Sequence, residues 1–195
     1  GHHIAPHKIN YRANIAALKA VGVSHILAIN AVGSCYHDFA VGDYVLVNQC
    51  IDYSYGREHT FHDEAFDMHK HIDFTSPIDA DLFDRLLVLA TAQGLTIHSG
   101  GVYACTQGPR FETAAEVRRI QRDGGEVIGM TMMPEAALAR ELSIPYVSIA
   151  VVVNAAAGLT HGAVFDQNVI ANVFKQCVTD LSPLIKRLSL ELSAA

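Results

Sequence analysis

The sequence predicts an α/β fold, a central sheet flanked by helices, on three observations. Residues 102–154 alternate three apolar runs with two helical segments, the pattern of strand and crossover. Each run stops on a polar or adaptable residue: Thr106, then Met130-Thr131, then Asn154. The third run, residues 146–153, is almost wholly apolar and rich in β-branched residues, as a strand covered on both faces must be.

The elements follow in chain order. Asn10 is placed to cap a helix over residues 11–21, with Ile15, Leu18 and Val21 at helical spacing and Gly22 closing it. A strand over residues 25–29 leads into Asn30-Ala31-Val32-Gly33-Ser34. That stretch reads either as a small-residue turn with an anion nest of backbone N–H groups or as a plain strand-to-loop turn. Gly42-Asp43 opens one long strand over residues 44–52, with Val45, Val47, Gln49 and Ile51 in partial alternation. Residues 53–79 are polar, hold His59, His62, His69 and His71, and show no period. A loop of that length in a compact domain is functional or disordered. A helix over residues 81–92 carries Leu82, Leu86 and Leu89 on one side and stops at Gly94.

Within the central stretch, Gly108-Pro109 breaks the first run, and Thr113 with Glu116 forms a capping box. Gly124-Gly125 ends that helix and Pro134 starts the next. From Asp166 a last long helix is expected, with Val169, Val173, Val178 and Leu181 inward and Pro183 kinking or dividing it. Ligands bind outside the carboxyl ends of strands in open α/β sheets, so Thr106, Met130, Thr131 and Asn154 are expected to share one crevice.

A chain of 195 residues, 50% hydrophobic and 17% charged, suits one domain with one core. The net charge of −6, with Lys and Arg scattered, gives no footprint for nucleic acid or a membrane surface, which favours a small ligand. Cys35, Cys50, Cys105 and Cys177 are widely spaced, so reduced thiols in a cytoplasmic setting are the simple reading, with no metal site. His69-Lys70-His71 has one intervening residue and no Cys nearby, and reads as surface or site histidines. No signal peptide or transmembrane run stands out, and Gly1-His2-His3-Ile4 reads as the middle of a longer chain.

Four blocks in this order carry a family resemblance: Asn30-Ala31-Val32-Gly33-Ser34, Gly108-Pro109-Arg110-Phe111-Glu112-Thr113, Gly129-Met130-Thr131-Met132-Met133-Pro134-Glu135, and Asn154. The sequence resembles the trimeric purine nucleoside phosphorylases over nearly its whole length, closest to the methylthioadenosine and methylthioinosine phosphorylase branch. The resemblance implies a phosphorylase/hydrolase-like three-layer fold with a mixed sheet. It also implies a single domain over residues 1–195 that lacks the family's N-terminal phosphate loop.

The activity implied is phosphorolysis of a purine nucleoside in nucleoside salvage, with inorganic phosphate as co-substrate and no cofactor. By the same resemblance, Ala31 (backbone) and Thr131 bind phosphate, and Thr131 doubles as a candidate helix cap before Pro134. Met130, which residue type alone would equally place in the core, packs on the ribose, and His2 lines the nucleoside pocket. His71 reaches the site of a neighbouring subunit in a homotrimer or a dimer of trimers. Phe111, Glu112 and Asn154 meet the base, and Glu112 has a rival role as a first-turn helix charge.

The adenosine-type branch has Asp at the positions of Asn154 and Ala156. An Asn amide donates to O6 or N7 of a 6-oxopurine, and Ala156 offers no acceptor to an amino group, so hypoxanthine-type bases are expected over adenine. Near the 5′ end the one histidine is His161, and Val164, Val169 and Ile170 are apolar, which favours 5′-methylthioinosine over inosine or guanosine. A non-catalytic nucleoside binder and a hydrolytic nucleosidase are the alternatives.

Overall fold

A computed structural model of the chain describes residues 3–36, 38–64, 67–159 and 166–194. Its helices are α1 (Tyr11–Ala20), α2 (Ala80–Ala92), α3 (Ala114–Arg122), α4 (Glu135–Glu141) and α5 (Gln167–Ser193). Its strands are β1 (Ile26–Ser34), β2 (Tyr44–Leu46), β3 (Gln49–Asp52), β4 (His98–Ser99), β5 (Val102–Cys105), β6 (Val127–Gly129) and β7 (Tyr146–Ala155). They form one mixed sheet in the order β3-β5-β6-β1-β7-β2-β4. The strands β3, β5 and β6 run parallel, as do β1 and β7, and the two sets meet antiparallel at β1 and β6.

Local chemistry sets most helix ends. The Asn10 side chain accepts from the Ala13 N–H at 2.9 Å, and Asp79 accepts from Leu82 N–H at 3.0 Å. Thr113 and Glu116 complete the expected capping box. At the far end of α3, Gly124 takes φ +93° and the Gly125 N–H closes onto the Ile120 carbonyl, a reversal that a side chain at Gly124 would strain.

The core lies against β7. Its first eight residues are all buried, so both faces of the strand are covered, the condition for three layers. The helix pairs α1 with α4 and α2 with α5 pack together, and α2, α4 and α5 reach β7. A smaller cluster under α3 joins Val117 and Ile120 to Ala104 and Ile128.

Three expectations are corrected. Asn30-Ala31-Val32-Gly33-Ser34 is not a turn: β1 runs through it, paired with β7, with a register shift between Val32 and Gly33. In an extended strand successive backbone N–H groups point to alternate sides, toward β7 and away from it, where a nest would converge them. The long strand over residues 44–52 is two strands. Asn48 and Gln49 N–H groups turn to the Gly101 carbonyl, and the chain leaves β7 to pair with β5. In α5 the buried stripe is Cys177, Leu181, Leu184 and Leu188, so Leu181 lies inward as expected and Val173 packs at the margin of the core, whereas Val178 is only half-buried and Val169 is 54% exposed. The helix runs undivided through Pro183, which lies on its exposed side.

One position tests the packing beneath the strand ends. A Cβ on Gly129 would stand 1.9 Å from the hydroxyl oxygen of the fully buried Tyr103. Gly129→Ala is expected to lower stability by about 3 kcal/mol, read from the urea unfolding midpoint at unchanged slope. A midpoint equal to that of the unaltered chain would contradict this packing.

Candidate functional site

A cavity of about 1020 Å³ opens along the line where β6, β1 and β7 lie side by side. Its floor is the middle of β1 from Ile29 to Gly33, with Met130 and Thr131 after β6 on one side and Asn154 near the end of β7 on the other. Phe111, Glu112 and the start of α5 form the walls. The crevice was expected where strands end together, but β6 runs against β1. The end of β6 therefore meets the middle of β1, and the cavity straddles that reversal.

The polar floor is a chain of hydroxyl and amide groups. Ser148, fully buried on β7, donates from Oγ to Asn30 Oδ1 at 2.8 Å, and Asn30 Nδ2 donates to Thr131 Oγ1 at 2.8 Å. Because Thr131 Oγ1 accepts inside this chain, its own proton is left to donate toward the cavity. The Tyr103 hydroxyl lies beneath and accepts from the Thr131 N–H at 3.4 Å. Burial holds the Tyr103 phenol far above its usual pKa, so it stays protonated. Burial likewise pushes the Cys105 thiol up to about 12, which removes it as a nucleophile near neutral pH.

The opposite wall is set by a loop and a strand end. The Thr106 hydroxyl donates to Glu112 Oε1 at 2.6 Å, which leaves Oε2 for a further donor. Phe111, half exposed, stands beside it, and Arg110 holds the Phe111 carbonyl while gripping both carboxylate oxygens of Glu116. That pairing, with the Thr113 N–H, draws the Glu116 carboxyl down to about 2. Asn154 Nδ2 donates to the Ala155 carbonyl at 2.7 Å, and a Cβ on Gly33 would come within 3.3 Å of it. Gly33 thus makes room for the amide.

The structure brings Ala31, Phe111, Glu112, Met130, Thr131 and Asn154 to this one cavity. Thr106 does not line it; it stands behind Glu112 on a second, smaller cavity. His71, at the end of a short turn over Met68–Lys70, is not among the lining residues either. His2, His161 and Val164 lie outside the described residues. Asn30, Ser148 and Tyr103 were missed as site residues. The available signal was a lone Asn and a lone Ser inside apolar strands, since buried polar side chains seldom lack a partner. Among the described residues no group of His, Cys, Asp or Glu could hold a metal, and no helix is long and apolar enough to cross a membrane.

These features define an α/β protein with a deep small-molecule cavity over the meeting of two strand sets. Residues 1–189 match the pattern of the Phosphorylase superfamily, and the chain belongs to that family. It is 49% identical over 157 residues to a probable S-methyl-5'-thioinosine phosphorylase of Pseudomonas syringae pv. tomato, covering 80% of this chain and 64% of that protein. It is 47% identical over 176 residues to a 6-oxopurine nucleoside phosphorylase of Pyrococcus furiosus, covering 85% of this chain and 66% of that protein. The alignments thus span under two thirds of either relative. The fold superposes on a methylthioadenosine phosphorylase from Schistosoma mansoni in complex with adenine with a TM-score of 0.93 at 29% identity, over 100% of this chain and 75% of that one.

The hydroxyl–amide chain makes a stability prediction. Asn30→Leu leaves two hydroxyls unpaired at the cavity floor and is expected to cost about 2 kcal/mol in urea unfolding. Adding Ser148→Ala to it should cost less than the sum of the two single changes, since both break one chain. Strict additivity would deny the coupling.

Proposed function

We propose that the chain carries the nucleoside site of a phosphorylase that cleaves a 6-oxopurine nucleoside, with 5′-methylthioinosine preferred. The observation that supports this best is the convergence of the Thr131 hydroxyl, the Glu112 carboxylate and the Asn154 amide on one cavity roomy enough for a nucleoside and phosphate together. In this reading a phosphate oxygen attacks the anomeric carbon, the bond to N9 breaks, and its electron pair passes to the purine. The leaving base then takes a proton from water.

Thr131 Oγ and the backbone at Ala31 bind the phosphate. Met130 packs on the ribose, which passes through an oxocarbenium-like state. Phe111 lies against the purine, Glu112 accepts from N1–H, and Asn154 donates to O6 or N7, where charge grows on the leaving base. Ala156 supplies no acceptor for an adenine amino group. Val41, Val169 and Ile170 make the wall beyond the sugar apolar, which suits a methylthio group. Inosine and guanosine are the second reading, favoured by the likeness to a 6-oxopurine nucleoside phosphorylase.

His2 is assigned to the nucleoside pocket and His71 to the site of a neighbouring subunit in a homotrimer or dimer of trimers. Inorganic phosphate is the co-substrate, with no cofactor. A cytoplasmic setting accords with four free thiols.

Base release from methylthioinosine and inosine, followed with and without phosphate, tests the reaction. Release only with phosphate is expected; release without it would make the protein a hydrolase, and binding without release a binder. Asn154→Asp is expected to lower kcat/KM for methylthioinosine about 100-fold while raising that for methylthioadenosine. Thr131→Val should raise the KM for phosphate about tenfold with the base preference unchanged. Faster turnover of methylthioadenosine by the unaltered chain would overturn the assignment of Asn154.

A further inference from the structure

The polar loop after β3 sends one side chain beneath the site. Arg57 lines neither cavity, yet its guanidinium donates to backbone carbonyls in both segments that build the larger one. Nη2 reaches Thr106 O at 3.1 Å and Gln107 O at 2.8 Å, at the root of the loop carrying Phe111 and Glu112. Nη1 reaches Met130 O at 2.9 Å and Met133 O, on either side of Thr131. Nε donates to Gln107 Oε1 at 3.2 Å, and the same oxygen accepts from the Tyr55 N–H, so the loop is itself tied to the first segment. The Tyr11 ring closes the group from α1, its centroid 5.6 Å from the guanidinium carbon.

No sheet pairing joins residues 106–112 to residues 130–133 beyond the short β5–β6 ladder, whose last pair is Cys105 with Gly129. The Thr106 N–H adds one bond to the Gly129 carbonyl. Past that point the strands diverge, and Gly108 packs directly on Met130, where a Cβ would come within 2.5 Å of Sδ. A planar fork with five donors can span four carbonyls at fixed separation, whereas an ammonium on a flexible stem cannot.

We infer that Arg57 is a positioning residue that fixes the spacing between the Phe111–Glu112 wall and the Met130–Thr131 wall, so that one ligand can meet both at once. A ligand confined to one wall should be indifferent to it. A ligand spanning both should not. In the terms of the proposed function, the base alone is the first kind and the nucleoside the second; that part rests on the functional reading, while the coupling of the two walls does not.

Two measurements on the whole chain test this, using Arg57→Lys, which keeps charge and bulk, and Arg57→Ala. In hydrogen exchange without ligand, residues 106–112 and 130–133 should both exchange faster in Arg57→Lys, with the buried stripe of α5 unchanged. In calorimetric titration without phosphate, Arg57→Lys should weaken inosine at least about tenfold and hypoxanthine by less than about threefold. Unchanged exchange in either segment overturns the inference, as does acceleration spread through α5 or equal weakening of both ligands. If the unaltered chain binds neither ligand, the functional reading falls and the exchange result alone decides the role of Arg57. Should Arg57→Ala fail to fold, Arg57→Lys carries both measurements.

Discussion

The hydrogen bond from Asn30 to Thr131 crosses the line between β6 and β1, where strand direction reverses, and the site is arranged about it. On one side the chain runs β3, β5, β6; on the other it runs β1 and β7 the opposite way. Two antiparallel strands paired at only Gly33 with Ile128 and Ser34 with Val127 leave the rest of β1 without a partner on that side. The gap becomes the cavity floor. The amide of Asn30 spans it, with Ser148 fixing which end of the amide faces Thr131.

Three of the polar groups that face the cavity, Glu112, Asn154 and Thr131, are each held by one hydrogen bond and keep further bonding capacity, whereas Asn30 has both ends of its amide engaged. Glu112 gives one oxygen to Thr106, Asn154 gives one N–H to Ala155, and Thr131 accepts from Asn30. Such half-satisfied groups are pre-oriented without being used up, so little reorganisation remains when a ligand enters. Around them the lining is mainly apolar, which strengthens each remaining bond by excluding water.

The parts of this architecture legible in the sequence are those whose causes are local. The caps at Asn10 and Thr113, the stop at Gly124-Gly125 and the doubly covered β7 depend on residues a few positions apart, and each lies where expected. The break between β2 and β3 was not legible, because its cause is the Gly101 carbonyl about fifty positions away. Asn30 was read within a turn for the same reason: its partners Thr131 and Ser148 are 101 and 118 positions on. The cavity residues Ala31, Phe111, Glu112, Met130, Thr131 and Asn154 were found through whole motifs. Of the residues that brace them, Asn30 and Ser148 left only the signal of a polar side chain inside an apolar strand, and a lone Tyr or Arg leaves none.

The outer strands of the sheet carry a consequence for how the molecule meets its copies. One border is the four-residue β3 and the other the two-residue β4, where His98 is engaged by Asp43 at 2.9 Å. Borders so short present few open main-chain donors and acceptors to a foreign strand. Sheet-to-sheet extension is therefore a poor route to assembly for this chain, and self-association has to be built from helix and loop surfaces, where side chains and not the backbone choose the partner.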